Sequence, residues 1–115
     1  MKKDYSNQFE KTIIIKEKGK FEQINISEIY KITCESYIST IVTKDEYLNV
    51  SKILKKIEEE LKEFGFFRAN RNTLVNIRHI KKYKNNEKAL ITLSNKDEII
   101  ISKRNVSKLL KIIKK

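Results

Sequence analysis

The spacing of apolar side chains divides the chain into short alternating runs and two stretches with a helical period. Thr12–Lys16 and Phe21–Ile26 flank Lys18-Gly19-Lys20, which predicts a hairpin whose turn uses the positive φ open to glycine. Tyr30, Ile32 and Cys34 alternate with polar neighbours, as do Ile38, Thr40 and Val42, then Leu48 and Val50 beyond a turn at Lys44-Asp45. Residues two apart share one face of a strand, so each run predicts a half-buried strand with those side chains inward. Further on, Ala89, Ile91 and Leu93 alternate, a turn follows at Asn95-Lys96, and Ile99 and Ile101 resume the pattern as a second antiparallel hairpin.

Two segments break this alternation. Ser51 is placed to N-cap a helix carrying Ile53, Leu54, Ile57 and Leu61 on one face, ending near Phe64 with Gly65 just past its end. Its charges fall as i,i+4 pairs (Lys55 with Glu59, Lys56 with Glu60, Glu58 with Lys62), which predicts a solvated scaffold face. Ser102 is placed to cap a second helix with Val106, Leu109, Leu110 and Ile113 inward and lysines outward. Those lysines also suit the negative end of the helix dipole. With no repeat, no interior linker and no proline, the expectation is a mostly β (α+β) fold: small antiparallel sheets with two helices. Residues 1–11 read as a polar tail and 12–115 as one domain.

A chain of 115 residues with 39% apolar composition is long enough for one core. No stretch approaches the roughly 18 uninterrupted apolar residues of a membrane helix. The start, Met1-Lys2-Lys3-Asp4-Tyr5, leads into no apolar secretory core. One cysteine makes no internal disulfide, and with one histidine it makes no zinc site. Together these predict a cytoplasmic protein.

The net charge of +11 matters through its distribution. Residues 1–67 carry twelve basic and twelve acidic side chains. Residues 68–88 set Arg68, Arg71, Arg78, Lys81, Lys82, Lys84 and Lys88 against Glu87 alone, and 103–115 set Lys103, Arg104, Lys108, Lys111, Lys114 and Lys115 against no acid. All four arginines fall in these two stretches. The planar guanidinium suits phosphate and guanine, so the basic stretches point to nucleic acid.

Enzyme signatures are missing, and neither cofactor nor metal is expected. Two glycines cannot build a phosphate-cradling loop. Cys34 falls on the apolar face of a predicted strand and reads as core. His79 reads as a surface or phosphate-contacting residue with no partners for a catalytic triad. Glu58-Glu59-Glu60 reads as part of the solvated helix face. The informative stretch is Phe66–Ile80, FFRANRNTLVNIRHI. It sets Asn70, Arg71, Asn72 and Thr73 between apolar anchors, Phe66 and Phe67 before, Leu74, Val75 and Ile77 after. Arg and Asn make paired hydrogen bonds to guanine and adenine edges, and a loop of them held at both ends is what base readout requires.

This stretch resembles the signature of the LytTR family of bacterial DNA-binding domains. In that pattern a Phe and an Arg precede His-Arg-Ser, then an aliphatic residue, Val, Asn and a later Ile. Phe67, Arg68, Arg71, Leu74, Val75, Asn76 and Ile80 match, whereas Asn70 stands for the usual histidine and Asn72 for the usual serine. Ile29 to Tyr37 is similar to the family strand that enters a first recognition loop. Ser51 to Leu61 resembles its helix, and Ile99 to Leu110 its closing strand, Ser-x-Arg-Asn and final helix. The resemblance implies small antiparallel sheets with two helices, and double-stranded DNA read in successive major grooves by loops between strands. It implies paired direct repeats as target, a second copy of the chain as a neighbour on DNA, and a role as a transcription regulator. Carried over by position, Tyr37, Arg71 and Arg104 are the base-contact candidates. Asn70, Asn72, Arg78, Lys103 and Lys108 are candidates for phosphate contact or support, and Lys81, Lys82 and Lys84 form a compact cluster suited to the backbone. Family members usually follow a phosphoryl-accepting receiver domain. This chain has no room for one, so it reads as a stand-alone regulator or a C-terminal half.

Two other readings compete. An RNA module would stack bases on Phe66, Phe67 and Tyr83 between the basic stretches. A membrane-surface protein would use the lysine-rich final helix.

Overall fold

The computed structural model describes residues 11–114; the predicted tail through residue 10 and Lys115 lie outside them. In chain order, the elements begin with strands β1 (Thr12–Glu17) and β2 (Lys20–Asn25), a one-turn 3-10 helix at Ile26–Glu28, and strands β3 (Ile29–Glu35), β4 (Ile38–Thr43) and β5 (Tyr47–Val50). Helix α1 (Leu54–Glu60) leads to β6 (Phe66–Asn70) and β7 (Thr73–Asn76), then a 3-10 turn at Ile77–His79. Strands β8 (Ile80–Asn85), β9 (Ala89–Leu93) and β10 (Glu98–Ile100) precede helix α2 (Lys103–Ile113). Every strand pairing is antiparallel: a β1-β2 ribbon, a five-stranded sheet β5-β4-β3-β7-β6, and a three-stranded sheet β10-β9-β8. The expected class of small antiparallel sheets with two helices is the observed one.

Burial explains the layering. Ile13, Ile15 and Ile24 of the ribbon, Ile32, Ile41 and Leu74 of the five-stranded sheet, and Leu54, Ile57 and Leu61 around α1 form one apolar core. Phe67, Ala69 and Val75 from the same sheet pack with Ala89, Ile91, Leu93, Ile99, Ile101 and Leu109 in a second. The central sheet is therefore covered on both faces, and its strands lose the simple in-out alternation of a half-exposed strand. In the β6-β7 hairpin, Phe66 and Leu74 face the first core while Phe67 and Val75 face the second.

Several side chains depart from the alternation read in the sequence. A bulge between Ile29 and Lys31 shifts the register of β3, so Ile29 and Ile32, three apart, are both fully buried. In β4 only part of the expected inward set is inward: Val42 is buried, but Ile38 is exposed beside the turn, and Ser39 and Ile41 are buried, Ser39 with Oγ donating to the Lys52 carbonyl at 2.5 Å. Helix α1 starts two residues later than a Ser51 cap would place it. The Ser51 N–H donates to Glu17 Oε2 (3.2 Å), the Lys52 N–H turns back to the Val50 carbonyl (2.8 Å) and the Lys52 carbonyl is held by Ser39, so this link bends outside the helix and Ile53 is the exposed N-cap. The three i,i+4 pairs do not form; Glu60 pairs with Lys52 (2.9 Å) and Glu58 with Arg68. Ser102 is the N-cap of α2 as expected, but its hydroxyl makes no cap bond. Ile113 is exposed, and Ile112 takes the inward place with Val106 and Leu109.

Polar clasps tie the layers together. Asn76, buried, donates to the carbonyls of Ile26 (3.3 Å) and Ile29 (2.9 Å). His79 is no surface contact: its ring is half-buried, edge-on to Tyr30 with centroids 4.7 Å apart. Its Nε2 lies 2.8 Å from the Ser27 carbonyl and its Nδ1 3.0 Å from Ser94 Oγ. A carbonyl only accepts, so Nε2 carries a proton and donates to Ser27 O. Lys31 pairs with Asp97 at 2.9 Å, joining β3 to the β9-β10 turn. Partial burial alone would raise the Asp97 carboxyl, but hydrogen bonds from Lys31 and Asn95, with the Lys31 charge, outweigh it and hold the group below its ordinary 3.8. Cys34 is half-buried against the first core, its Sγ donating to the Ser36 carbonyl.

Candidate nucleic-acid interface

The stretch from Phe66 to Asn76, read in the sequence as a loop between anchors, folds as a hairpin with a two-residue tip, Arg71-Asn72, closed by the Asn70–Thr73 pair. Neither tip residue needs a positive φ. Asn70 Oδ1 accepts the Asn72 N–H at 2.9 Å, the side-chain turn for which asparagine is suited. Three successive tip carbonyls are occupied. Asn70 O accepts from Arg68 Nε and Arg71 O from Arg68 Nη2, each at 3.1 Å, and Asn72 O accepts from Cys34 N at 3.0 Å. Arg68 Nη1 is in turn fixed by Glu58 of α1. The Arg68–Leu74 pair lies on the α1 face of the sheet, which is why the arginine reaches that helix.

The start of α2 is fastened to the same hairpin. The Ala69 carbonyl accepts from Ser102 N (2.9 Å), Ser102 Oγ (3.4 Å) and Asn105 Nδ2 (3.4 Å). Asn105 Nδ2 also donates to Ser102 Oγ at 2.9 Å, so the serine hydroxyl serves this junction instead of capping. Asn70 Nδ2 donates to the Ile100 carbonyl at 2.7 Å, fixing the end of β10 alongside. The backbones bearing Arg71 and Arg104 are thereby anchored around one carbonyl. Arg71, Asn72, Arg104 and Lys108 line a single open groove with Asn70, Ile100 and the Arg68–Glu58 pair. Among the described residues, Arg71, Arg104 and Lys108 form no ion pair, and all three are exposed.

Over residues 19–114 the chain matches the model of the LytTr DNA-binding domain. The chain belongs to the LytTr DNA-binding domain family. The LytTr architecture agrees with this: a solved LytTr DNA-binding domain, from a Bacillus cereus protein described as a methyl-accepting/DNA response regulator, superposes with a TM-score of 0.75. The match covers 89% of this chain and 95% of that one at 17% identity, which speaks to fold. No curated protein matches the sequence.

Around this LytTr groove the remaining sequence candidates fall in three places. Tyr37, 78% exposed, stands on the β3-β4 tip, adjacent to the β6-β7 tip through the Cys34–Asn72 bond. Lys103 is exposed at the first position of α2. Lys81, Lys82 and Lys84 lie exposed on β8, the edge strand of the three-stranded sheet. Lys84 is level with Leu90 and Ile100 in one cross-strand row, about 10 Å from Ile100 at two strand spacings. Arg78 does not join the group; it sits beyond β7, roughly 13 Å along the strand from the tip. Asn70 is committed at both ends of its carboxamide and supports the tip.

Phe67 is buried in the second core, with Tyr83 packed against it, and Phe66 packs on the first, so the aromatics of the RNA reading are occupied. Helix α2 likewise docks its apolar stripe on the second core, and no helix among the described residues is long and apolar enough to cross a membrane. Sequence reasoning missed Arg68 and Glu58 as a brace, Asn105 as a staple and Ile100 as a groove residue. The positions of Arg68 and Ile100 between inward apolar residues were a signal that each points away from the second core. What each then touches was not in that signal.

Proposed function

We propose that the chain reads double-stranded DNA sequence-specifically as part of a transcription regulator, inserting its hairpin tips and the start of α2 into successive major grooves. Tyr37, Arg71 and Arg104 take base edges. Asn72, Lys103, Lys108, Lys81, Lys82, Lys84 and Arg78 take phosphates, while Asn70 supports the central tip. The observation that carries this reading is the pair of arginines, Arg71 and Arg104, that form no ion pair among the described residues and line one groove from backbone anchored at Ala69 O. A fixed origin lets a guanidinium fork meet guanine O6 and N7 with useful geometry.

The test is selection of bound sites from a random duplex library. The expected enrichment is two short direct repeats about one helical turn apart, occupied by two copies of the chain. If roughly 5–8 phosphates are neutralised, log K falls against log salt with a slope of about −4 to −7. A slope near zero, or preference for single-stranded RNA in competition, overturns the proposal.

A further inference from the structure

We propose that Ile100 reads a thymine methyl group, so that the bound site carries a thymine beside the guanine met by Arg71 or Arg104. This rests on the duplex-DNA reading above and adds a residue and a base to it.

Ile99, Ile100 and Ile101 are consecutive, yet only the middle one is outward: they are 6%, 48% and 3% exposed. Strand alternation turns Ile100 away from the second core. Other exposed isoleucines, such as Ile14 and Ile53, are scattered surface residues of a kind that needs no explanation. Ile100 differs in its surroundings. It lines the groove that holds Arg71 and Arg104, where the other lining side chains are polar or charged. Its origin is fixed, since its carbonyl accepts from Asn70 and the next N–H, of Ile101, donates to Ala89 O at 3.0 Å. Half-buried Leu90, its cross-strand partner, backs one flank.

Docking DNA on this groove dehydrates Ile100. Against a base-edge donor or acceptor, the side chain would leave that polar group without a partner, which is costly. The major groove offers one apolar group, the C5-methyl of thymine, and against it both surfaces leave water. The position thus favours one base by attraction and disfavours the others by desolvation.

The experiment replaces each thymine of the selected duplex, one at a time, with deoxyuridine, which removes the methyl alone. At one position in each repeat the wild-type chain should bind about fourfold more weakly, the value of burying one methyl-sized group. Ile100→Ala should bind thymine and uracil duplexes alike at that position, and Ile100→Val should keep the difference. A thermal melt shows whether each variant is folded; the uracil series on the wild-type chain stands without them. Uniform binding across the uracil series overturns the inference, as does a methyl dependence that persists in folded Ile100→Ala. Failure to enrich any duplex removes the inference together with the reading it rests on; enrichment without methyl dependence removes the inference alone.

Discussion

Two hairpin tips of equal length stand side by side at one end of the central sheet, and they are held differently. The β3-β4 tip, Ser36-Tyr37, relies on a non-glycine residue at φ 58°, Ser36, and on a weak thiol bond to the Ser36 carbonyl. At the β6-β7 tip, donors hold the carbonyls of Asn70, Arg71 and Asn72, and Glu58 holds the arginine that supplies two of them. Tyr37 thus projects from a loosely tethered turn and Arg71 from a braced one. A directional bidentate contact needs the braced origin, whereas an aromatic ring with broad contact tolerates the looser one.

The largest expected effect tests the braced side. Arg71→Ala and Arg104→Ala should each cost about 1–3 kcal/mol on the selected duplex and less on a scrambled one, in paired titrations. Both side chains are exposed, so melting temperatures should hardly change. Equal losses on both duplexes would demote either residue to a phosphate contact. Next is Arg68→Ala, which removes two carbonyl bonds and the Glu58 pair without touching DNA. It should lower unfolding stability by about 1–2 kcal/mol, discounted for partial exposure. Specificity should fall with it, while the salt slope stays put; a lost slope with intact specificity would mean that Arg68 meets phosphate.

Tyr37→Ala should cost under about 1 kcal/mol on the selected duplex, because a side chain from the looser tip loses more freedom on docking. A cost above that of Arg71→Ala would reverse the ranking of the tips. Lys82→Ala should weaken all duplexes about equally and reduce the salt slope by about one unit. The smallest effect lies at the far end of β3, where Lys31 meets Asp97. The Asp97 carboxyl is lowered on folding, so its stabilisation is present above 3.8 and is lost as the pH falls through and below that value. Acid melts of wild type should decline more steeply there than those of Asp97→Asn; parallel curves would show that the pair contributes nothing.

Much of the fold is legible in the residues. The hairpin around Gly19, the pairing of Ala89–Leu93 with the run after Asn95-Lys96, and a helix entered through Ser102 follow from local periodicity and turn chemistry. The inward faces of β3 and β4 do not. A bulge resets the first, and a second covering layer makes adjacent residues bury together in the β6-β7 hairpin. The basic candidates were legible as residue types in two stretches, but nothing local separates Arg71 in the groove from Arg78 beyond β7.

By itself, then, the order of residues determined what nearest neighbours decide: short antiparallel strands, two helices, and a concentration of arginine and asparagine suited to nucleic acid. Tertiary structure alone decided which cations lack an ion-pair partner among the described residues and where they meet. Glu58 takes Arg68 out of the charged surface and turns it into a brace, and Ala69 O gathers Ser102 and Asn105 so that Arg104 shares a groove with Arg71. These contacts join residues ten to thirty-six positions apart. No periodicity along the chain encodes which of many distant partners will close on which, because that is set by how two cores pack on opposite faces of one sheet.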